Sequence, residues 1–147
     1  AIRDAMVGFD RPVTFAEDDV PDRGPMAGIR TGLRAVEADY AVVVACDMPF
    51  VDPALVAHLA DRARGHDAAV PRVGEYREPT HAVYHAERMA AACERALARG
   101  ERRVVAPLEE LDPVVVPESE LREHADLKSF ENVNTTADLD AAAEFLS

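Results

Sequence analysis

Asp47 stands directly after Tyr40–Cys46, a continuous run of apolar and largely β-branched residues. Such a run reads as a strand buried on both faces, as in the middle of a parallel sheet. In open α/β sheets ligands collect beyond the carboxyl ends of the strands. A carboxylate at that point projects into the crevice. It is a hard oxygen ligand of the kind Mg²⁺ takes, the metal filling its remaining positions with substrate phosphates and water. The spacing alone equally allows Asp47 to cap the turn that follows.

Three further groups could take part in chemistry. In the segment Asp18 to Gly28, glycines at 24, 28 and 32 recur every four residues. Gly28 and Gly32 fall on one helix face, where small residues permit close packing on a sheet, and Gly24 leaves a helix start open to a nucleotide. Asn132 and Asn134 lie two apart just before a helix, so in an extended segment both side chains point the same way. Asn134 or Thr135 also suits an ordinary N-cap. Arg102 and Arg103 pair two guanidiniums against an acidic background, either to grip phosphate or as a solvated helix start.

The elements that must position these groups follow from periodicity. Residues 1–8 read as the tail of a helix ending at Gly8, followed by an extended piece at Val13–Ala16 and a turn-rich stretch from Asp18 to Pro25. Pro25–Val36 is helical, with Met26, Ile29, Leu33 and Val36 at spacings of three and four. A helix starts near Pro53 with Asp52 as N-cap. Asp67–Val73 and Thr80–Ala86 are strands joined by a polar turn, so the second runs antiparallel. A helix presenting Met89, Cys93, Ala96 and Leu97 stops at Gly100. A short helix over Arg103–Leu111, a strand at Val114–Val116 and a helix over Thr135–Leu146, anchored by Leu139, Phe145 and Leu146, complete the chain. The alternation predicts an α/β fold with a mixed, mostly parallel sheet.

Composition bounds the function classes. With 28 acidic residues against 16 basic ones, the net charge of -12 repels phosphate backbones and anionic lipid, which argues against nucleic-acid and membrane partners. The only lysine is Lys128, and scarce lysine with acidic excess fits a protein adapted to high salt. Cys46 and Cys93 match neither a zinc nor a redox spacing and read as two buried thiols. The histidines show no i, i+4 metal pair. No apolar run reaches membrane-spanning length and no leader opens the sequence, which leads to the expectation of a soluble, cytoplasmic protein.

Taken in order, Gly24-Pro25-Met26-Ala27-Gly28, Cys46-Asp47-Met48-Pro49-Phe50, Glu78-Pro79-Thr80-His81-Ala82-Val83-Tyr84, Gly100-Glu101-Arg102-Arg103 and Phe130-Glu131-Asn132-Val133-Asn134-Thr135 resemble the molybdenum cofactor guanylyltransferases. The glycine-glutamate-arginine-arginine segment and the Pro-Thr-x-Ala-x-Tyr strand favour that branch over cytidylyl relatives. The resemblance implies a three-layer, Rossmann-like nucleotidyltransferase fold over residues 1–147. It also implies GMP transfer from GTP to molybdopterin with release of pyrophosphate, with Mg²⁺ as cofactor. It makes Asp47 the metal and catalytic residue, and puts Asp18, Gly24 and Pro25 beside the guanine nucleotide. Asn132, Asn134, Arg102 and Arg103 are then on the pterin side. GTP and molybdopterin are the implied partners, with molybdoenzymes or other cofactor-biosynthesis proteins beyond them.

The family opens with a strand and a glycine-rich loop carrying a spaced lysine, and this sequence contains no Gly-Gly pair. The expectation is therefore an amino-terminally incomplete domain lacking its first βαβ portion, with an open sheet edge and weak or no activity by itself. Three alternatives remain on the sequence: cytidylyl transfer to molybdopterin, guanylyl transfer to another phosphorylated acceptor such as phospholactate or a cobinamide phosphate, and a non-catalytic pterin-binding remnant.

Overall fold

The computed structural model describes residues 2–19 and 24–147. Of the expected Asp18–Pro25 turn, Val20–Arg23 lie outside the described residues. In chain order the elements are α1 (Ile2–Ala5), α2 (Pro25–Arg34), β1 (Tyr40–Val44), α3 (Pro53–Ala63), β2 (Ala68–Val73), β3 (Tyr76–Arg77) and β4 (His81–His85). They are followed by α4 (Ala86–Ala98), a 3₁₀ turn at Pro107–Glu110, β5 (Pro113–Val116), α5 (Glu118–His124), a second 3₁₀ turn at Leu127–Phe130, and α6 (Thr136–Leu146).

The strands lie in the order β1-β4-β2-β5, with β3 folded back on the end of β2 as a hairpin. β4 is antiparallel to both β1 and β2, whereas β5 is parallel to β2. Three of these four strands therefore point the same way, and the sheet is mixed as the turn before β4 foretold. Alternation along the strands divides the core between the two faces. Ala68, Val70, Ala82 and Tyr84 pack with Met26, Leu33, Met89 and Cys93 of α2 and α4. Ala69, Val83 and Val116 pack with Leu55, Leu59 and Leu121 of α3 and α5. The result is three layers.

β1 corrects one expectation. Its pairing is antiparallel to β4, in the register Tyr40↔His85 to Val44↔His81, and its other edge has no strand partner among the described residues. Val42 and Val44 are 45% and 36% exposed, so the strand is not buried on both faces. An apolar β-branched run states a demand for burial. It does not state which neighbour meets it.

Three other expectations are also corrected, while the extended piece at Val13–Ala16 pairs with no strand and leaves Val13 and Phe15 exposed. The helix expected over Arg103–Leu111 is confined to the 3₁₀ turn, because Pro107 has no N–H to give and Ala106 bonds the Arg103 carbonyl instead at 3.0 Å. In α6 only Ala142 is buried, while Leu139, Phe145 and Leu146 are 56%, 62% and 60% exposed and do not anchor the helix in a core. Of the two thiols, Cys93 is buried but Cys46 is exposed, since β1 has already ended when the chain reaches it.

Candidate active site

Asp47 sits where β1 ends, and backbone bonds on both sides fix it there. The Ala45 N–H donates to the carbonyl of Thr80 at 2.9 Å, tying the exit of β1 to the entry of β4. The buried Tyr84 holds that entry in turn, its hydroxyl donating to the Pro79 carbonyl at 2.5 Å. Beyond Asp47, Asp52 caps α3 by accepting from the Ala54 N–H at 2.8 Å, with Pro53 at the first helical position.

The asparagine segment arrives at Asp47 from the far end of the sequence. The Val133 N–H donates to the Asp47 carbonyl at 2.7 Å, which sets Asn132 and Asn134 on either side of the contact with both side chains exposed. The segment is secured downstream by a capping box on α6. Thr135 accepts from the Asp138 N–H at 3.1 Å, and the Asp138 carboxylate accepts from Thr135 at 2.9 Å and Asn134 at 3.2 Å. These bonds hold the Asp138 carboxyl below its usual range, the Thr135 contact most strongly. Thr135, not Asn134, is therefore the N-cap, which leaves the Asn134 side chain available.

α2 begins at this same end of the sheet. Its N-cap, Gly24, has φ 79°, a conformation that favours glycine, and no side chain among the described residues caps the first turn. A helix start of that kind has amides free to receive an anion. Between α2 and β1 lies a cavity of about 580 Å³, bounded by Pro25, Gly28 and Gly32 on one wall and Val44, Ala45 and Cys46 on the other. That volume suits a small-molecule ligand. No atom stands within 4 Å of a Cβ built on Gly32, so the glycine face opens the cavity and does not serve close packing. Asp18 packs against this helix, accepting a hydrogen bond from Thr31, and its carboxylate stands 4.0 Å from a Cβ built on Gly28.

Arg102 and Arg103 follow α4, whose stop at Gly100 has φ 80°. Both are exposed, and Arg102 lines a separate depression with Leu97, Gly100 and Glu101. Of the expected site residues Pro25 lines the cavity between α2 and β1, and Asp47 directly follows its wall residue Cys46. The Val133 bond brings Asn132 and Asn134 beside Asp47, Asp18 lies against α2, and the two arginines lie outside the cavity.

Residues that sequence reasoning did not place also gather here. Lys128, far from Asp47 in sequence, has its ammonium 4.8 Å from the ring centre of Phe50 and 3.8 Å from that of Phe145. A lone lysine among arginines was the available signal, but only the fold supplies its neighbours. His81 is fully buried beneath the segment, its ring 4.6 Å from that of Phe130, and neither ring nitrogen has a hydrogen-bond partner among the described residues. Burial pushes its pKa down, and the nearby Ser129 backbone pulls it part of the way back.

The donors around Asp47 are hard oxygens: one carboxylate and the neighbouring asparagine amides. Such a set fits Mg²⁺ arriving with a phosphate ligand better than a resident transition metal. Among the described residues no group of three histidine, cysteine or carboxylate side chains could hold a metal ion by itself.

The family model for the MobA-like NTP transferase domain matches residues 3–114. A probable molybdenum cofactor guanylyltransferase of Natronomonas pharaonis is 54% identical over 91% of this chain and 66% of its own length. One from Methanosarcina mazei is 44% identical over 89% of this chain and 59% of its own length. The chain therefore spans about three fifths to two thirds of these relatives' length. The crystal structure of molybdopterin-guanine dinucleotide biosynthesis protein A from Archaeoglobus fulgidus superimposes with a TM-score of 0.70 at 40% identity, over 84% of this chain and 63% of that one. The 2-C-methyl-D-erythritol 4-phosphate cytidylyltransferase of Thermus thermophilus, at 18% identity and a TM-score of 0.62, shares the fold. By its family model, its relatives and its fold, the chain belongs to the MobA-like NTP transferase domains.

Proposed function

We propose that this chain is part of a molybdenum cofactor guanylyltransferase, which transfers GMP from GTP to the terminal phosphate of molybdopterin. The observation that carries this reading is the 2.7 Å bond from the Val133 N–H to the Asp47 carbonyl, which brings the asparagine pair beside the aspartate that follows Cys46 on the cavity wall. The names of the relatives support the choice of substrates.

In this reading the α2 start at Gly24 and Pro25 receives the nucleotide, and Asp18 flanks it from the segment packed against that helix. Asp47, with Asn132 and Asn134 beside it, holds Mg²⁺, which when bound offsets phosphate charge at the reacting centre. The acceptor phosphate oxygen forms a bond to the α-phosphorus as the bond to the β-phosphate oxygen breaks, and pyrophosphate leaves. No side-chain nucleophile is needed. The chain's contribution is positioning and a fixed polar environment.

The test is a titration of Mg-GTP and Mg-CTP against the chain and its Asp47→Ala variant. GTP binding that requires Mg²⁺ and falls at least about ten-fold in the variant is expected. Because residue 47 holds Val133 through its main chain, the variant retains its fold. Tighter CTP than GTP binding would refute the guanylyl reading, and unchanged Mg-GTP binding in the variant would refute the role of Asp47.

A further inference from the structure

The bond from Val133 to the Asp47 carbonyl is one point of contact between two loops. A single hydrogen bond lets each loop turn about it. A second contact, set apart from the first, fixes the angle at which the asparagine side chains meet the aspartate.

Lys128 supplies such a contact, and its main chain is firmly held. Asp126 caps the 3₁₀ turn by accepting from the Lys128 N–H at 3.0 Å, and the Glu131 N–H closes it on the Lys128 carbonyl at 3.0 Å. Ser129 is buried at the base of the turn, and Phe130 lies against the His81 ring. From this base the Lys128 ammonium reaches the Phe145 ring at 3.8 Å and the Phe50 ring at 4.8 Å. The two rings meet edge to face, with centres 5.3 Å apart. Aromatic faces are negative, so a cation at these distances is attracted to both. No carboxylate pairs with the ammonium among the described residues, so the rings are what hold it.

The three side chains come from three segments. Phe50 lies in the loop that follows Asp47, Lys128 precedes the asparagine segment, and Phe145 stands in the last turn of α6, which follows it. α6 starts at the Thr135 cap directly after Asn134, and its 11 residues run about 16 Å before Phe145 meets Phe50. Both flanks of the asparagine pair are therefore closed onto the Asp47 loop around one ammonium. Phe145 remains 62% exposed, so burial contributes little here and the charge is the specific part of the contact.

We propose that Lys128 is a positioning residue: it draws Phe50 and Phe145 together and so sets the asparagine segment at a fixed angle to Asp47. That the positioned groups serve Mg²⁺ and a nucleotide rests on the transferase reading. The clamp itself rests on the three side chains.

The experiment compares Lys128→Met, which keeps the stem and removes the charge, with Lys128→Arg, whose cation can also lie on the rings, and with Phe145→Leu, which removes one ring. Hydrogen exchange at the Val133 amide and the proton shifts of the Lys128 ε-methylene group read the clamp. A Mg-GTP titration reads the site, and circular dichroism checks the fold. In wild type the ε-methylene protons should be shifted upfield by the rings, and less so in Phe145→Leu. In Lys128→Met and Phe145→Leu, Val133 exchange should be about five-fold faster and Mg-GTP affinity about five-fold weaker. Lys128→Arg should restore both. The double variant Lys128→Met with Phe145→Leu should lose no more than Lys128→Met alone, because one contact cannot be removed twice.

Unchanged Val133 exchange in a folded Lys128→Met variant overturns the clamp. A Lys128→Arg variant as impaired as Lys128→Met also overturns it, because the charge would then not be what acts. Faster exchange with undiminished Mg-GTP affinity overturns the positioning role. Mg-GTP that binds to no form of the chain, with the exchange pattern as expected, would sink the guanylyl reading and leave the clamp standing.

Discussion

Replacing His81 with leucine should make the protein more stable and less sensitive to pH. The ring is fully buried and both its nitrogens lack hydrogen-bond partners among the described residues. An unsatisfied buried polar group costs about 1–3 kcal/mol, whereas leucine of similar volume leaves no polar atom behind. The contact with Phe130 is given up, at about 0.5–1.5 kcal/mol. The net expectation is a gain of about 1 kcal/mol, or roughly 2–4 °C in Tm for a chain of this size. The sign of the pH effect follows from burial. The folded pKa of His81 lies below the ordinary value of 6.5, so the unfolded chain binds the proton first. Stability is therefore full above the unfolded value and falls as pH drops below it, the loss ending beneath the folded pKa. Urea unfolding of wild type and His81→Leu at pH 5 and pH 7.5 reads both effects. A variant less stable than wild type at pH 7.5, or one with the same stability difference between the two pH values, would refute the reasoning.

Two further outcomes follow from the geometry. Thr135→Ala removes the side-chain half of the capping box and should cost about 1 kcal/mol. It should also speed hydrogen exchange at the Val133 amide, and an unchanged exchange rate would mean that the cap does not hold the asparagine segment. In the native chain only Cys46 should react with a thiol reagent, because Cys93 is buried and burial pushes its pKa up to about 12. A second thiol should appear on adding denaturant, and two equally fast thiols in the native chain would contradict the packing of α4.

Much of this architecture can be read from local chemistry. Pro25 and Pro53 announce helix starts, Gly100 a helix stop, and the polar turn at Gly74 an antiparallel return. These signals are local, and the chain obeys them. The place of Asp47 just beyond β1 was legible because the apolar run before it reads as a strand. What stayed hidden depended on contacts between distant segments. No spacing rule joins Val133 to Asp47, puts Lys128 against Phe50, or pairs Asp18 with Thr31. The antiparallel setting of β1 was missed for a related reason: its residues suit any buried strand, and its neighbour β4 is encoded elsewhere. The end of α6 looked like a core anchor because its leucines and phenylalanine are large, but a large apolar residue can also remain at the surface.

The contact between Asp47 and the asparagine segment is made by the main chain. Any non-proline residue at position 47 has the same carbonyl and can accept the same bond from Val133. The identity of the side chain at position 47 and the docking of the asparagine segment are thus separately encoded: the docking lies in the backbone every residue shares. In genetic terms, a missense allele at codon 47 changes the side chain there but keeps the carbonyl on which the asparagine segment docks.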